Sequence, residues 1–291
     1  MIKIENLTKT FDRNVIAVNN LSLNIKEGIT GLIGENGAGK STLLRLIADV
    51  YQKDKGQILI DDIDNGEDIA KDNVFFLSDD PYYNGNDNAL QNLKFYEALF
   101  DLDEDVFKRM MSKLSLPLDR KVSTFSKGMR RQLFLCIALS MKAKHILLDE
   151  AFDGLDPIVQ EVVKEEIVSN SKEKLFLISS HNLLSLERLC EHFILLSKGS
   201  LKKEESKEDV GQSLFKYQIL FTSPVSEEEL KEAGIPVLNL KMVGSVSYVI
   251  TDSDAKELII EKYHPTLIEN VVIDKDEALK LEMMLREGEL K

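Results

Sequence analysis

The sequence lacks the features of a membrane-spanning or secreted chain. Its longest apolar run, LFLCIALSM at 133–141, is about half of the roughly 18 residues that suggest a membrane span. The first residues, MIKIENLTKT, contain no apolar segment of the kind that secretory signals carry. We therefore expect a cytoplasmic protein.

Negative charge outnumbers positive charge, with 50 Asp and Glu against 37 Lys and Arg, and cysteine is scarce. The formal net charge of -13 argues against a main role in holding nucleic acid, which needs a clustered basic surface. The two cysteines, Cys136 and Cys190, do not have the spacing of metal ligands, so we expect buried free thiols. A chain of 291 residues, 43% of them hydrophobic, can form one large domain and a small one.

Residues 1–204 alternate strand-like and helix-like segments, which is typical of an α/β fold with a largely parallel sheet. GITGLIGENGAGKSTLLRLIADV predicts a strand, a glycine turn and a helix. KHILLDE and KLFLISSHN predict short buried strands, because they are apolar on both faces. Between the glycine turn and KHILLDE, residues 88–142 are mostly helical and predict a helical subdomain.

A charged segment, KGSLKKEESKEDVGQS, predicts a linker or an exposed connection. After it, the predicted elements follow the order β-α-β-β-α-β, which is the ferredoxin-like pattern. A Ser226–Glu229 capping box and Gly234 mark the ends of the first helix of this part. A last helix is predicted from an apolar stripe at Ala278, Leu281, Met284 and Leu285. We therefore predict two domains, 1–204 and 205–291.

The run GENGAGKS, residues 34–41, fits the phosphate-binding loop G-x-x-x-x-G-K-[ST]. Its glycines let backbone N–H groups converge on phosphate oxygens, and the following helix points its positive end at them. Lys40 reaches the β and γ phosphates, and Ser41 supplies a magnesium ligand. The predicted nucleotide contacts of this loop are Gly34, Glu35, Asn36, Gly37, Ala38, Gly39, Lys40, Ser41 and Thr42.

Asp149 and Glu150 follow the strand HILL, at the edge where an open parallel sheet places its ligands. Asp149 can hold the magnesium of a nucleotide, and the adjacent carboxylate can polarise an attacking water. An isolated Asp-Glu pair at a strand end is usually a solvated turn. Combined with the phosphate loop, the pair predicts a hydrolytic nucleotide site.

The stretch TFSKGMRRQLFLCIAL, residues 124–139, begins a helix with three cations. Serine is a favoured N-cap, which explains Ser126. Lys127, Arg130 and Arg131 lie at the positive end of the helix dipole, where cations are unfavourable. An anionic partner is therefore expected at the start of this helix.

Together these motifs resemble the nucleotide-binding subunit of an ABC transporter. The phosphate loop, the serine–glycine signature, HILLDE, DGLD at 153–156 and the histidine after FLISS follow that family's order, within about residues 1–204. The resemblance implies an α/β P-loop cassette that hydrolyses ATP with Mg²⁺ and dimerises head to tail around two nucleotides. It also implies that the dimer, of identical or related ATPase subunits, drives a separate polytopic permease from the inner face of the membrane.

The resemblance gives Glu150 the role of general base. His181 would be the second catalytic residue, in contact with the γ phosphate and the water across the dimer. A lone histidine after a strand is more often structural, but the place of His181 in the motif order reverses that preference. Phe11 in LTKTF matches the aromatic residue that stacks on adenine, with a core position as the equal alternative. Asp79 in FLSDDPYY lies nearest to a glutamine that binds magnesium in this family, and a carboxylate can also be a ligand. A solvated loop is the equal alternative for Asp79.

The signature departs from the family's usual L-S-G-G-Q, with Phe125, Ser126, Lys127, Gly128 and Met129 in its places. The resemblance implies that Ser126 and Gly128 contact the partner's ATP and that Lys127 lies at the same interface. It places Asp156 of DGLD at the interface too. The same aspartate is also a good helix cap before Pro157, and both roles can hold.

A single cassette followed by a ferredoxin-like tail resembles the ATPases of drug, bacitracin and peptide exporters, including those for amphipathic peptides such as phenol-soluble modulins. We interpret the tail as a regulatory or dimerisation domain, although a fold alone cannot choose between roles. The alternatives are a soluble ABC ATPase of DNA maintenance or translation and a weakly hydrolysing regulatory subunit. The heptads, paired CxxC motifs and tandem cassettes of the soluble classes do not occur in the sequence.

Overall fold

The computed structural model describes residues 1–12, 15–181, 186, 188–206, 214–273, 277 and 281. Its contacts divide the chain into two compact units, Met1–Glu204 and Glu205–Lys291. The strands are β1 Ile2–Phe11, β2 Val15–Ile25, β3 Gly28–Ile33, β4 Lys55–Ile60, β5 Ile63–Asp64, β6 Val74–Leu77, β7 His145–Leu148, β8 Leu175–Ser180, β9 His192–Ser197, β10 Ser200–Ser206, β11 Phe215–Leu220, β12 Val237–Val243, β13 Val246–Thr251 and β14 Leu267–Val271. The helices with described boundaries are α1 Lys40–Ile47, α2 Asp68–Asp72, α3 Ala89–Glu97, α4 Glu104–Lys113, α5 Lys127–Ser140, α6 Pro157–Asn170, α7 Glu227–Glu232 and α8 Lys256–Tyr263.

The first unit contains a six-stranded sheet in the order β10-β9-β3-β8-β7-β6. The strands from β9 to β6 pair in parallel, so their carboxyl ends lie along one edge. Every residue of β3, β7 and β8 is buried, as expected for parallel strands covered on both faces. The predicted strand, glycine turn and helix, and the two predicted buried strands, are confirmed.

A second sheet in the same unit has the order β2-β1-β4-β5 and antiparallel pairing. Its inward side chains, such as Ile2 and Ile58, belong to one apolar cluster with Leu43 of α1 and Leu147 of β7. This cluster fixes α1, and with it the phosphate loop, between the two sheets. The alternation of elements along the sequence did not predict the separate antiparallel sheet.

Three helices, α3 to α5, fill the segment between β6 and β7. Their core includes Phe107 and Leu133, which are fully buried. A buried carboxylate on α6, that of Glu166, accepts a hydrogen bond from Arg109 of α4 at 2.7 Å. This contact ties the helical segment to the helix that follows the Asp149–Glu150 pair.

The predicted linker over KGSLKKEESKEDVGQS is wrong in its first half. Ser200–Ser206 forms β10, the edge strand beside β9. Leu201 packs against the core, and an edge strand tolerates the charged side chains because its open side faces solvent. Residues 207–213 lie outside the described residues.

The second unit has an antiparallel sheet in the order β12-β13-β11-β14, with α7 and α8 in the connections. This is the predicted ferredoxin-like arrangement. The capping box of Ser226 and Glu229 is present, and Gly234 follows with a φ of 82°. The predicted last helix lies outside the described residues except at Glu277 and Leu281.

Cys136 and Cys190 are buried thiols outside any disulfide among the described residues, as predicted. Burial raises the pKa of the Cys136 thiol, which keeps it protonated and unreactive. Among the described helices, none is long and apolar enough to cross a membrane.

Candidate functional site

The loop at 34–41 connects β3 to α1 and has the backbone that its glycines predict. A Cβ atom on Gly34 would lie 2.4 Å from the Leu196 carbonyl oxygen, and one on Gly39 would lie 2.3 Å from that of Ala17. Gly39, with a φ of 102°, is the N-cap of α1 and supplies no side-chain cap to the first turn. The N–H groups of that turn are therefore available to an anion, which the helix dipole favours.

Lys40 is the first residue of α1 and is only 5% exposed. Its Nζ donates to the carbonyl oxygens of Gly34 at 2.6 Å and Glu35 at 3.3 Å. The same Nζ is 3.5 Å from Oε1 of Glu150. The structure therefore brings the phosphate-loop cation and the predicted base together at one edge of the sheet.

Asp149 is fully buried, and one of its oxygens binds two hydroxyl groups. Ser41 donates to Oδ1 at 3.0 Å and Ser179 of β8 donates to it at 2.6 Å. The other oxygen, Oδ2, is buried without a hydrogen-bond partner among the described residues. A buried carboxylate oxygen without a partner needs a cation or a water beside it, because a carboxylate accepts hydrogen bonds and does not donate them.

Ser179 is a site residue that the motifs did not reveal. Its hydroxyl also accepts a hydrogen bond from the Glu150 amide at 2.9 Å, so it joins the two acidic residues. The available sequence signal was a serine at the carboxyl end of a buried strand, in KLFLISSHN. A serine in this position can be assigned to the site only when β8 is known to pair with β7, the strand that precedes Asp149 and Glu150.

Glu150 has a φ of 48°, in the left-handed region that residues other than glycine rarely adopt. Its carboxylate is held by His181, whose Nδ1 lies 2.9 Å from Oε2 and whose amide donates to the same atom at 3.3 Å. A strained backbone with an oriented side chain is often found at catalytic positions. The structure thus joins the predicted base to the predicted histidine within one chain.

The start of α5 is capped as predicted, because Ser126 Oγ accepts a hydrogen bond from the Met129 amide at 3.1 Å. Two of the three cations at this helix start bind neutral carbonyl oxygens of the same chain. Arg130 donates to the Phe125 carbonyl oxygen at 2.9 Å. Arg131 donates to the Asp79 carbonyl oxygen at 2.9 Å and to carbonyl groups after β7. Lys127 is exposed.

A cleft of about 380 Å³ opens between α5 and the ends of β6 and β7. Its lining includes Asp79, Lys127, Gly128, Arg131, Glu150 and Asp153. Burial lowers the pKa of the Arg131 guanidinium, while the surrounding carboxylates oppose that shift. Arginine stays charged under these conditions, so the cleft contains both signs of charge.

The remaining predicted residues lie at different places around this edge. Phe11 is 39% exposed and packs edge-on against Tyr51, with ring centroids 5.4 Å apart, so it is not a core residue.

Asp79 has a side chain that is 59% exposed and pairs with Arg45 at 3.5 Å. Among the described contacts, the Asp79 carboxylate does not reach the Ser41–Asp149 pair. Asp156 caps α6 by accepting from the Val159 amide at 3.0 Å.

A phosphate loop, a buried carboxylate and an oriented glutamate on a parallel sheet define a P-loop nucleotide hydrolase. The sequence profile of the family described as ABC transporter matches residues 18–153. The chain is 33% identical over 228 residues to the lantibiotic transport ATP-binding protein SrtF of Streptococcus pyogenes, covering 76% of this chain and 98% of SrtF. It is 27% identical over 292 residues to the ABC transporter ATP-binding protein YtrB of Bacillus subtilis, covering 96% of each chain.

The fold agrees with these relatives. The dimeric ATP-binding cassette MJ0796, solved with bound ADP and Pi, aligns with a TM-score of 0.63 and 23% identity over 71% of this chain and 98% of that chain. The chain therefore belongs to the family of ABC transporter ATP-binding subunits, which are ATPases.

We expect Ser179→Ala to lower the rate of ATP hydrolysis by about tenfold or more, because residues that orient the carboxylates of such sites by hydrogen bonds typically contribute 10–100-fold. The variant removes both the hydrogen bond to Asp149 and the acceptor of the Glu150 amide. Steady-state phosphate release measures the effect. Ser140→Ala is the matched control, because Ser140 is also buried and its hydroxyl, among the described contacts, donates only to the Ile137 carbonyl oxygen of its own helix. Equal rates in the two variants would contradict the bridging role.

Proposed function

We propose that this protein is the ATP-hydrolysing subunit of an ABC exporter, acting at the cytoplasmic face of the membrane. The observation that carries the proposal is the meeting of Lys40, Asp149 and Glu150 at one sheet edge. Lys40 is 3.5 Å from Glu150, and the Asp149 carboxylate binds the hydroxyl of Ser41, next to that lysine. These groups can bind phosphate, a divalent cation and an attacking water.

Hydrolysis follows from the roles of these side chains. The loop N–H groups and Lys40 bind the β and γ phosphates of ATP. Glu150 accepts a proton from a water whose oxygen forms a bond to the γ phosphorus, while the bond from that phosphorus to the bridging oxygen breaks and ADP leaves. His181 orients the Glu150 carboxylate, with its Nδ1 at 2.9 Å.

The residues present fit a magnesium ion. Ser41 and Asp149 would hold it together with phosphate oxygens, and the buried, unpaired Oδ2 of Asp149 is a suitable oxygen for the ion or its water. Among the described ranges, no cluster of three or more His, Cys, Asp or Glu side chains could hold a metal alone. When bound, the ion neutralises negative charge on the phosphates.

We expect Glu150→Gln to bind ATP with little change but to lose at least about 100-fold in hydrolysis rate, because the amide cannot accept the proton. With Mg-ATP present, the variant should accumulate as a dimer on gel filtration. Glu165→Gln, an exposed position on α6, is the control. A hydrolysis rate for Glu150→Gln equal to that of the control would exclude Glu150 as the base.

A second proposal concerns the dimer, in which Ser126, Lys127 and Gly128 face the ATP of a partner subunit. Gly128 lies inside a helix, and a Cβ there would meet nothing closer than 3.8 Å outside that helix. Nothing within the described part of the chain therefore requires glycine at this position. A close approach from outside, such as a phosphate of the partner's nucleotide, accounts for the missing side chain. Asp156 would lie at the same interface while it caps α6.

Gly128→Ala tests this interface. We expect unchanged or higher thermal stability, since alanine is favoured in helices by about 1 kcal/mol, together with unchanged ATP binding. Dimer formation with Mg-ATP and the hydrolysis rate should fall by about tenfold or more, because contacts at the partner's phosphate are displaced. Gly85→Ala, where a Cβ has ordinary contacts of 3.4 Å or more, is the control. Normal dimerisation of Gly128→Ala would contradict the assignment.

We propose that an exposed apolar patch of Tyr82, Phe95 and Leu99 contacts the permease. Tyr82 is 68% exposed, Phe95 is 46% and Leu99 is 62%. The rings of Tyr82 and Phe95 are 5.3 Å apart, and Tyr96 holds the loop by donating to the Tyr82 carbonyl oxygen at 2.9 Å. This loop begins at the carbonyl groups bound by Arg131, so the patch is linked to the site. Exposed apolar patches mark interaction surfaces.

Phe95→Asp should lose a co-purifying polytopic membrane protein in a tagged pull-down from gently solubilised host membranes with Mg-ATP. Its basal ATPase rate should stay within about twofold of wild type, because a surface substitution away from the site has little effect. Ile69→Asp, at another exposed apolar position, is the control. If ribosomes, DNA or nothing co-purify with the wild type, a soluble ABC ATPase replaces the transporter assignment.

For the cargo, we propose peptides, toxins or drugs. The support is the 33% identity to SrtF, which is described as a lantibiotic transport protein. For residues 205–291 we propose a regulatory or dimer-stabilising role. The nucleotide-site residues named above all lie in the first unit, whereas the second unit has its own core around Tyr217 and Ile259.

A further inference from the structure

The guanidinium of Arg131 joins three elements that meet beside the nucleotide site. Nη1 donates to the carbonyl oxygens of Asp79 at 2.9 Å and Ser78 at 3.4 Å, just after β6. Nη2 donates to the carbonyl oxygens of Asp149 at 2.6 Å and Glu150, just after β7. The planar fork of arginine suits this arrangement, because its two terminal nitrogens can each serve one strand end.

These contacts cross between parts of the chain that are distant in sequence. Arg131 belongs to the first turns of α5, which begins at Lys127 directly after Ser126. β6 and β7 are neighbouring parallel strands, with Leu77 opposite Leu148 at their ends. One side chain therefore connects the start of the signature helix to both strand ends.

The contact with Glu150 coincides with the strained part of the site. Glu150 has a φ of 48°, a conformation that is unfavourable for glutamate and persists only when the surroundings hold it. Ser179 binds its amide, and Arg131 binds its carbonyl oxygen. The backbone of Glu150 is thus fixed at its amide and at its carbonyl oxygen. Loss of either hydrogen bond would let this backbone relax and would move the carboxylate.

The adjacent arginine makes different contacts. Arg130 donates to the Phe125 carbonyl oxygen at 2.9 Å, and its guanidinium carbon is 5.8 Å from the centre of the Tyr83 ring. Neither contact reaches a strand end. Lys127 is exposed and, within the described residues, donates to neither strand end. Among the three cations at the start of α5, Arg131 is therefore the one that binds the Glu150 carbonyl oxygen.

We propose that Arg131 is a positioning residue for ATP hydrolysis: it fixes the backbone of Glu150 and makes the signature helix and the base one rigid unit. The inference rests on the proposed role of Glu150 as the base. Arg131 does not touch Lys40 or the phosphate loop in the described contacts, so it affects the chemical step rather than nucleotide binding.

The test compares Arg131→Gln and Arg131→Lys with wild type in steady-state ATPase assays. We expect Arg131→Gln to lower kcat by about 10–100-fold, since a misplacement of about 1 Å costs this much, and to change KM for ATP by less than about twofold. Arg131→Lys should be intermediate, because one ammonium cannot serve both strand ends. Arg120→Gln is the control, since Arg120 donates only to Thr124 in the described contacts.

A double-mutant cycle separates positioning from general destabilisation. In the Glu150→Gln background, Arg131→Gln should cause no further loss of residual hydrolysis, because the group it positions is already gone. Binding of a fluorescent ATP analogue by all variants shows that they are folded. A further loss as large as in the wild-type background, or equal kcat for Arg131→Gln and Arg120→Gln, would overturn the inference. A wild-type protein without ATPase activity would instead overturn the proposed function itself.

Discussion

The site depends on the hydrogen bonds that the buried carboxylate of Asp149 accepts. One of its oxygens accepts hydrogen bonds from Ser41, at the start of the helix after the phosphate loop, and from Ser179, on the neighbouring strand. A charge without water must be compensated by such contacts. Because the two donors come from distant parts of the sequence, they meet only when β3, β8 and β7 are adjacent and in register. The apolar core of the first unit therefore also specifies the nucleotide site.

The position of Glu150, the proposed base, follows from this arrangement. Glu150 continues the chain directly after Asp149, and its left-handed backbone turns the carboxylate toward His181 and Lys40. Such a conformation is unfavourable for glutamate and is held by contacts from β8 and α5. The geometry of the base thus depends on the sheet and on the helical segment together. If α5 faces a partner's nucleotide, as proposed, its contact with Glu150 can transmit the partner's binding to the chemistry.

Some of the fold could be predicted because its signals are local. The glycines of the loop at 34–41, the apolar runs of β7 and β8 and the capping box at Ser226 each reflect interactions within a few residues. The strand β10 could not be predicted in this way, since its composition is that of an exposed connection and its partner, β9, supplies the reason for its extended form. The antiparallel sheet was missed because the pairing of β1 with β4 joins segments that are far apart.

The sequence by itself determined the class of site: a phosphate loop, an acidic pair after a buried strand and a serine–glycine helix start, in the order of ABC ATP-binding subunits. Each of these is a continuous stretch whose chemistry depends on neighbouring residues. Only the tertiary structure decided that Ser179 joins the acidic pair and that Arg131 binds the ends of two strands. These contacts are hydrogen bonds to the backbone and to carboxylates across the sheet. They leave no periodicity or spacing in the sequence, because the register of parallel strands and the packing of α5 determine which groups meet.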